Sequence, residues 1–159
     1  MPRAFCWLAL SLCAVFVATV SRGPAVAGPA EYGSLECMAL NVYWEARSES
    51  RSDQRAVAHV TLNRMRSSEF PDTVCDVVHQ GGEDELYGCQ FHWWCDGKVD
   101  EPQNPIAWQM AIEVARRVLA GNDPDSTDGA LFFHNDDVSP EWASARVRTV
   151  QIGTHIFYR

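Results

Sequence analysis

Asn41-Val42-Tyr43-Trp44-Glu45-Ala46-Arg47-Ser48-Glu49 reads as the end of a helix that carries an acid at the margin of its apolar stripe. Leu35, Ala39, Val42 and Ala46 recur at helical spacing, so one face meets a core. Glu45 follows Val42 by three residues, which sets it at the edge of that face and not on the solvated side. A carboxyl group partly withdrawn from water resists ionisation, and a raised pKa is what a general acid needs near neutral pH. The plainer reading is a surface glutamate on an amphipathic helix, a common thing. The rest of the chain decides between them.

Outward from this helix the pattern stays helical before it turns to strands. Ser34 is a candidate N-cap, with Glu36 in the first turn. Ser50 to Asp53 breaks and restarts the chain, and a second helix with Val57, Val60 and Leu62 on its apolar side runs to about Met65. Phe70-Pro71 is extended, and Asp72 is placed to cap a short helix through Val74, Val77 and Val78. An acidic, glycine-containing loop from Gly81 to Gly88 leads into Cys89-Gln90-Phe91-His92-Trp93-Trp94-Cys95-Asp96-Gly97, dense in aromatics. Asn104-Pro105 opens the clearest helix, whose stripe is Trp108, Ala111, Ile112, Ala115, Val118 and Leu119 and which Gly121-Asn122 closes. Beyond it Ala130 to Asn135, Val147 to Ile152 and His155 to Tyr158 have the composition of short strands. Helices first and strands last imply an α+β domain, helical with a small C-terminal antiparallel β element.

The chain of 159 residues is long enough for one domain with a real core. Its start has the form of an export signal: Arg3, a largely apolar run from Ala4 to Val20, and a small-x-small site at Ala25-Val26-Ala27. Residues 1–27 are therefore expected to be a signal peptide, 28–33 a flexible leader and 34–159 the folded domain. Without Arg3 and Arg22 the chain keeps 11 basic and 21 acidic side chains, a net of −10. That balance argues against nucleic acid, which is held by neutralising phosphates. It also leaves the export signal as the one expected membrane contact.

Cys6 and Cys13 leave with the signal, and Cys37, Cys75, Cys89 and Cys95 remain, an even number suited to an oxidising compartment. Four cysteines allow three pairings. Cys89 and Cys95 bracket a short loop and are expected to pair locally, leaving Cys37 with Cys75. A four-cysteine zinc site is the rival, and the C-x-x-C spacing it needs is missing.

The Tyr-Trp-Glu-Ala-Arg-Ser-Glu run at Tyr43 to Glu49 resembles the Y-x-E-A-R-G-E signature of the SleB-type cell-wall hydrolases, the spore-cortex-lytic enzyme family. The likeness continues through Leu62-Asn63-Arg64, Phe70-Pro71-Asp72-Thr73-Val74, Phe91, Asp96-Gly97, Ala130 to Asn135 and Ile152-Gly153-Thr154-His155-Ile156-Phe157. In order and spacing it spans nearly all of the expected mature chain. The resemblance implies a lysozyme-like domain related to lytic transglycosylases, acting on the glycan strands of peptidoglycan, with Glu45 at the position of the catalytic glutamate. Ser48 stands where the signature has glycine, and the acidic loop at 81–88 looks like an addition. No peptidoglycan-binding repeat precedes the domain, so targeting to the wall is expected to come from the cleft or from another protein.

Glycosidic cleavage needs a proton for the leaving oxygen and stabilisation of an oxocarbenium-like centre. The resemblance implies that Glu45 supplies the proton and then acts as base, either on the sugar's C6 hydroxyl or on water. Tyr43, Glu49, Gln90, Phe91, Trp94, Asp96 and His134 are the candidate substrate-binding residues. Glu49 lies one turn beyond Glu45, where a like charge would help raise its pKa; its plain alternative is a surface acid. Aromatic faces in the 89–97 loop suit sugars, and at least one of Trp93 and Trp94 is expected in the core. Asp96-Gly97 reads first as a turn. His134 suits either substrate binding or a structural hydrogen bond. His59, His79, His92, His134 and His155 show no metal-ligand spacing, so neither metal nor cofactor is expected. The expected product is a monomeric, exported enzyme, periplasmic or extracellular, whose partner is peptidoglycan. The competing classes are a non-catalytic wall-binding module and a metal-dependent peptidoglycan amidase.

Overall fold

The computed structural model describes residues 29–81 and 88–159. The expected signal peptide and the acidic residues Glu83, Asp84 and Glu85 lie outside them. The described residues form helices α1 (Pro29–Ala46), α2 (Arg51–Arg66), α3 (Val74–Val78) and α4 (Pro105–Leu119), then strands β1 (Phe132–Asn135), β2 (Arg148–Ile152) and β3 (His155–Tyr158). Short 3-10 turns cover His92–Cys95 and Glu141–Ala145.

α1 is the hub, packed by α2, α3 and α4 together. Its second half is therefore buried on several sides: Met38, Ala39, Asn41, Val42, Tyr43 and Ala46 are all in the interior. Ala58 and Leu62 of α2, Val74, Val77 and Val78 of α3, and Ala111, Val114, Ala115 and Val118 of α4 complete this core. Two polar side chains on α1 organise what lies above it. Asn41 donates to the Thr61 hydroxyl at 3.1 Å and accepts the Trp93 indole N–H at 3.1 Å, so the buried amide is satisfied at both ends. The Tyr43 hydroxyl accepts the backbone N–H groups of Gln103 and Asn104, at 3.1 and 3.0 Å, which fixes the entry to α4.

The helix ends follow local chemistry. Ser50 caps α2 by accepting Asp53 N–H. Asn104 caps α4 through the N–H groups of Ile106 and Ala107, with Pro105 at the first position. Two expectations change. α1 already begins at Pro29, so Ser34 lies inside it and the residues from 29 on continue the helix. Proline suits a first turn, and Ala30 and Glu31 favour helix. The cap of α3 is Thr73 and not Asp72: the Thr73 hydroxyl accepts Asp76 N–H at 3.1 Å.

The strands form an antiparallel sheet in the order β1-β3-β2. β1 pairs Phe132 with Tyr158 and Asn135 with His155; β2 pairs Ile152 with His155, with an irregularity between Arg148 and Val150. The sheet meets the helices through Ala56 and Val60 of α2, which pack with Ala130 and Phe157. Cys37 bonds Cys75, joining α1 to α3, and Cys89 bonds Cys95 across the aromatic loop. With their sulfurs in disulfides, a four-cysteine zinc site is ruled out.

Gly153 in the β2–β3 turn has φ +58°, and a β-carbon there would run into the Asp53 carboxylate of α2. Only glycine allows that approach. Gly153→Ala is expected to lower stability by roughly 3 kcal/mol, combining backbone strain with displacement of a buried charge. Urea unfolding measures it, and a variant as stable as the parent would show that the turn can move away from Asp53 at little cost.

Candidate active site

Glu45 sits in the last turn of α1, just before the chain reverses through 47–50 into α2. Gln54 holds that reversal by donating to the carbonyl oxygens of Ala46, at 3.1 Å, and Glu49, at 3.4 Å. Because α1 is wrapped by its neighbours, the Glu45 side chain is half-buried. Burial raises its pKa from 4.5 to about 7, against the charges of His155 and Arg64, which lower it. Desolvation wins, and the carboxyl is left poised to give or take a proton at neutral pH.

His155 and Arg64 come from different elements. His155, at the start of β3, is buried, and its Nδ1 lies 2.7 Å from Asp53 Oδ1 of α2. The other Asp53 oxygen accepts Thr154 N–H at 3.3 Å. Burial pulls the His155 pKa down, but the hydrogen bond and charge of Asp53 and the fields of Glu45 and Glu49 raise it overall. Arg64, near the end of α2, donates its Nε–H to Leu131 O at 2.7 Å. Its guanidinium carbon lies 5.1, 5.0 and 5.7 Å from the ring centroids of Phe70, Phe91 and Phe132. Burial lowers its pKa to about 10, with Glu45 opposing, so it remains a cation at neutral pH.

Of the residues singled out in the sequence, Glu45 and Glu49 share this site, because both act on His155. Burial, not Glu49, is what raises Glu45. Tyr43 is 2 % exposed and Phe91 2 % exposed. Neither can offer a face to a sugar: Tyr43 spends its hydroxyl on the α4 entry, and Phe91 packs under Arg64 and against Phe133. Trp93 is the core tryptophan, whereas Trp94 is exposed and stacks on His79 with centroids 3.8 Å apart. Gln90 is exposed, and its backbone N–H donates to Gln80 O. Asp96 makes the turn at Gly97: its carboxylate accepts the Lys98 N–H and the Lys98 ammonium, both at 2.9 Å. His134 donates from Nδ1 to Asn135 O at 2.8 Å and accepts the Tyr158 hydroxyl at Nε2, at 2.9 Å, so both ring nitrogens are engaged.

Asp53 and His155 are the members to which the sequence reading gave no role, and Arg64 entered it only within the Leu62-Asn63-Arg64 run. Asp53 read as part of a break, and His155 as the start of a strand, as part of the 152–157 likeness and as one of five histidines without metal-ligand spacing. The signal present was the Gly153-Thr154-His155 turn, a glycine with positive φ beside a histidine 102 positions from the acid it meets.

The family model described as Cell Wall Hydrolase matches residues 48–158. That span includes Asp53, Arg64 and His155 and begins after Glu45. The chain is 34 % identical over 137 residues to a spore cortex-lytic enzyme of Oceanobacillus iheyensis, covering 84 % of this chain and 45 % of the relative. To the spore cortex-lytic enzyme of Bacillus subtilis it is 30 % identical over 123 residues, 77 % of this chain and 36 % of the relative. It thus spans less than half the length of these curated relatives. Among solved structures, the catalytic domain of the Bacillus cereus SleB protein matches with a TM-score of 0.61 at 31 % identity, covering 80 % of this chain and 91 % of that one. The catalytic domain of the germination-specific lytic transglycosylase SleB from Bacillus anthracis matches with a TM-score of 0.62 at 30 % identity, over 86 % of this chain and 100 % of that one.

The buried acid carries a linkage consequence. A carboxyl whose pKa is raised by folding binds its proton more tightly in the native state, so it costs stability as pH rises from 4.5 towards 7 and beyond. Fully ionised, that cost is of order 3 kcal/mol. Glu45→Gln keeps the shape without the charge, so it is expected to raise Tm over the parent at pH 8 and to leave it nearly unchanged at pH 4. Melting curves at the two pH values check this; an equal effect at both would mean that the carboxyl is well solvated.

Proposed function

The chain belongs to the cell wall hydrolase family, and from that premise we propose that it cleaves the glycan strands of peptidoglycan between amino sugars, with Glu45 as acid and then base. The observation that carries this reading is Glu45 at the end of α1, withdrawn from water beside Arg64 and His155, a placement in which burial raises its pKa to about 7. Protonated, Glu45 donates to the glycosidic oxygen as the bond to the anomeric carbon breaks. The carboxylate that remains lies in the fields of Arg64 and His155, both of which favour the charge it has just acquired. The substrate's own N-acetyl group assists at the anomeric carbon, so one protein acid suffices. In the second half Glu45 takes a proton back, from the sugar's C6 hydroxyl to close an anhydro ring, or from water to give a reducing end.

Asp53 holds His155 in place, and its hydrogen bond and charge favour the protonated ring. The likeness to the Bacillus anthracis lytic transglycosylase favours the anhydro product. Export through the amino-terminal signal would bring the enzyme to its polymer, outside the cytoplasm, where its two disulfides are stable. Among the described residues no helix is long and apolar enough to cross a membrane. The second reading, a wall-binding module without turnover, gives no reason to hold an acid at neutral pKa between two cations.

Glu45→Gln is expected to slow the release of soluble muropeptides from purified sacculi by at least about a hundredfold, the lower range for loss of a general acid. Mass spectrometry of the products separates the two outcomes of turnover, since anhydro and hydrated ends differ by one water. The parent's activity on the acidic side should hold and fall as pH passes through about 7, where Glu45 loses its proton. Undiminished release by Glu45→Gln would remove Glu45 from the chemistry.

A further inference from the structure

We propose that the outer face formed by Phe132, Trp142 and Arg146 is a binding site for the carboxylate-bearing amino sugar of the glycan strand. The proposal rests on the glycan-cleaving reading for the identity of its ligand, and on the following geometry for the site.

Trp142 stands on the 3-10 turn Glu141–Ala145 and is 37 % exposed. Its ring is fixed from three sides: Phe132 at 6.1 Å, His134 at 5.5 Å and Tyr158 at 5.5 Å between centroids, the last two edge-to-face. His134 in turn is locked by its two hydrogen bonds and stacked on Tyr158. An exposed aromatic already held in place can accept the apolar face of a sugar with little further loss of entropy.

Beside it, the exposed Arg146 guanidinium carbon lies 3.3 Å from the Phe132 ring centroid. Among the described residues Arg146 has no acidic partner. Arg64 approaches the same ring, at 5.7 Å, and its Nη1 is buried with no hydrogen-bond partner among the described residues. Two guanidinium groups therefore crowd one phenyl ring in a chain whose net charge is −8. Arg146 depresses the Arg64 pKa accordingly, behind the larger effect of burial and against the opposing field of Glu45. An anion is what this arrangement lacks, and a carboxylate is the anion that a guanidinium fork matches best.

Position selects the ligand. Arg64 is common to both places: it feels Glu45 on one side and shares Phe132 with Arg146 on the other. A strand lying across Glu45 would thus bring a neighbouring residue to the aromatic face. Of the two amino sugars that alternate in peptidoglycan, only the muramyl residue carries an acid, either on its lactyl arm or on the stem peptide attached there.

The test measures binding in the Glu45→Gln background, where ligands are not consumed. Three soluble ligands are compared by calorimetry: a chitin tetrasaccharide with no carboxylate, a peptide-free muramyl tetrasaccharide, and the same tetrasaccharide bearing stem peptides. The Glu45→Gln protein should prefer the acid-bearing ligands. Adding Arg146→Gln should weaken those by about tenfold, the loss of one charged hydrogen bond, and the chitin ligand by less than about twofold. Arg146→Lys should recover part of the preference. Equal loss for all three ligands, or for none, with Tm unchanged, would overturn the proposal; which acid-bearing ligand loses more tells the lactyl carboxylate from the stem peptide. Turnover of sacculi by protein with Glu45 intact is read separately. If no muropeptides are released while the Arg146 preference stands, the cleavage reading fails and the binding site does not.

Discussion

The contact between Asp53 and His155 carries more of this structure than its 2.7 Å suggests. It joins the first turn of α2 to the first residue of β3 across 102 positions, and both partners are buried. A buried carboxylate is tolerable only when its oxygens are satisfied, and here one meets an imidazole and the other a backbone N–H of the β-turn. The small sheet is also held to the helices by the packing of Ala130 and Phe157 on Ala56 and Val60 and by the Arg64 bond to Leu131 O, but among the described residues only the Asp53 contact anchors the β2–β3 turn to the start of α2. The pair therefore sets where the sheet stands, and with it where a positive charge stands relative to Glu45. Gly153 is the backbone concession that lets it form.

Much of the helical body was legible in the sequence because it obeys local rules. The Val42, Ala46 and Ala111, Ala115, Val118 stripes are periodic, Asn104-Pro105 is a cap followed by a compatible first residue, and Gly153-Thr154 parts the last two strands. What could not be read was the distinction between an aromatic that faces a groove and one that fills the core. Tyr43 and Phe91 look like sugar-stacking residues by type and neighbourhood. Their burial depends on α4 and Arg64, which reach them from 60 and 27 positions away in the chain. The Asp53–His155 pair was invisible for the same reason, since no periodicity links an acid at a helix start to a histidine after a turn.

Glu45 shows how a position can stand out in the sequence while the cause of its raised pKa does not. Helical spacing put it at the rim of an apolar stripe, and a second acid one turn on offered a ready explanation for a high pKa. The fold supplies a different one. α1 is enclosed by three helices, so dehydration alone lifts the carboxyl, and the charges nearest to it are positive. The opposition matters for chemistry. A carboxyl raised by burial alone would hold its proton too firmly to release it, because the anion formed would have no partner. One surrounded only by cations would be ionised before the substrate arrived.

The compromise also explains why the cations are tethered as they are. Arg64 is held by the Leu131 carbonyl and a cage of three rings, and His155 by Asp53, so neither is free to close on Glu45 and neutralise it as an ordinary ion pair. Held apart, they lower the energy of the carboxylate without competing for its proton. For the proposed cleavage that arrangement is preorganised: the field that favours the ionised acid would exist before the bond breaks, and no side chain would have to move to create it. The stability that Glu45 costs when ionised is thus the thermodynamic counterpart of its readiness to return to the protonated form, and a well-solvated glutamate at the same place would keep neither property.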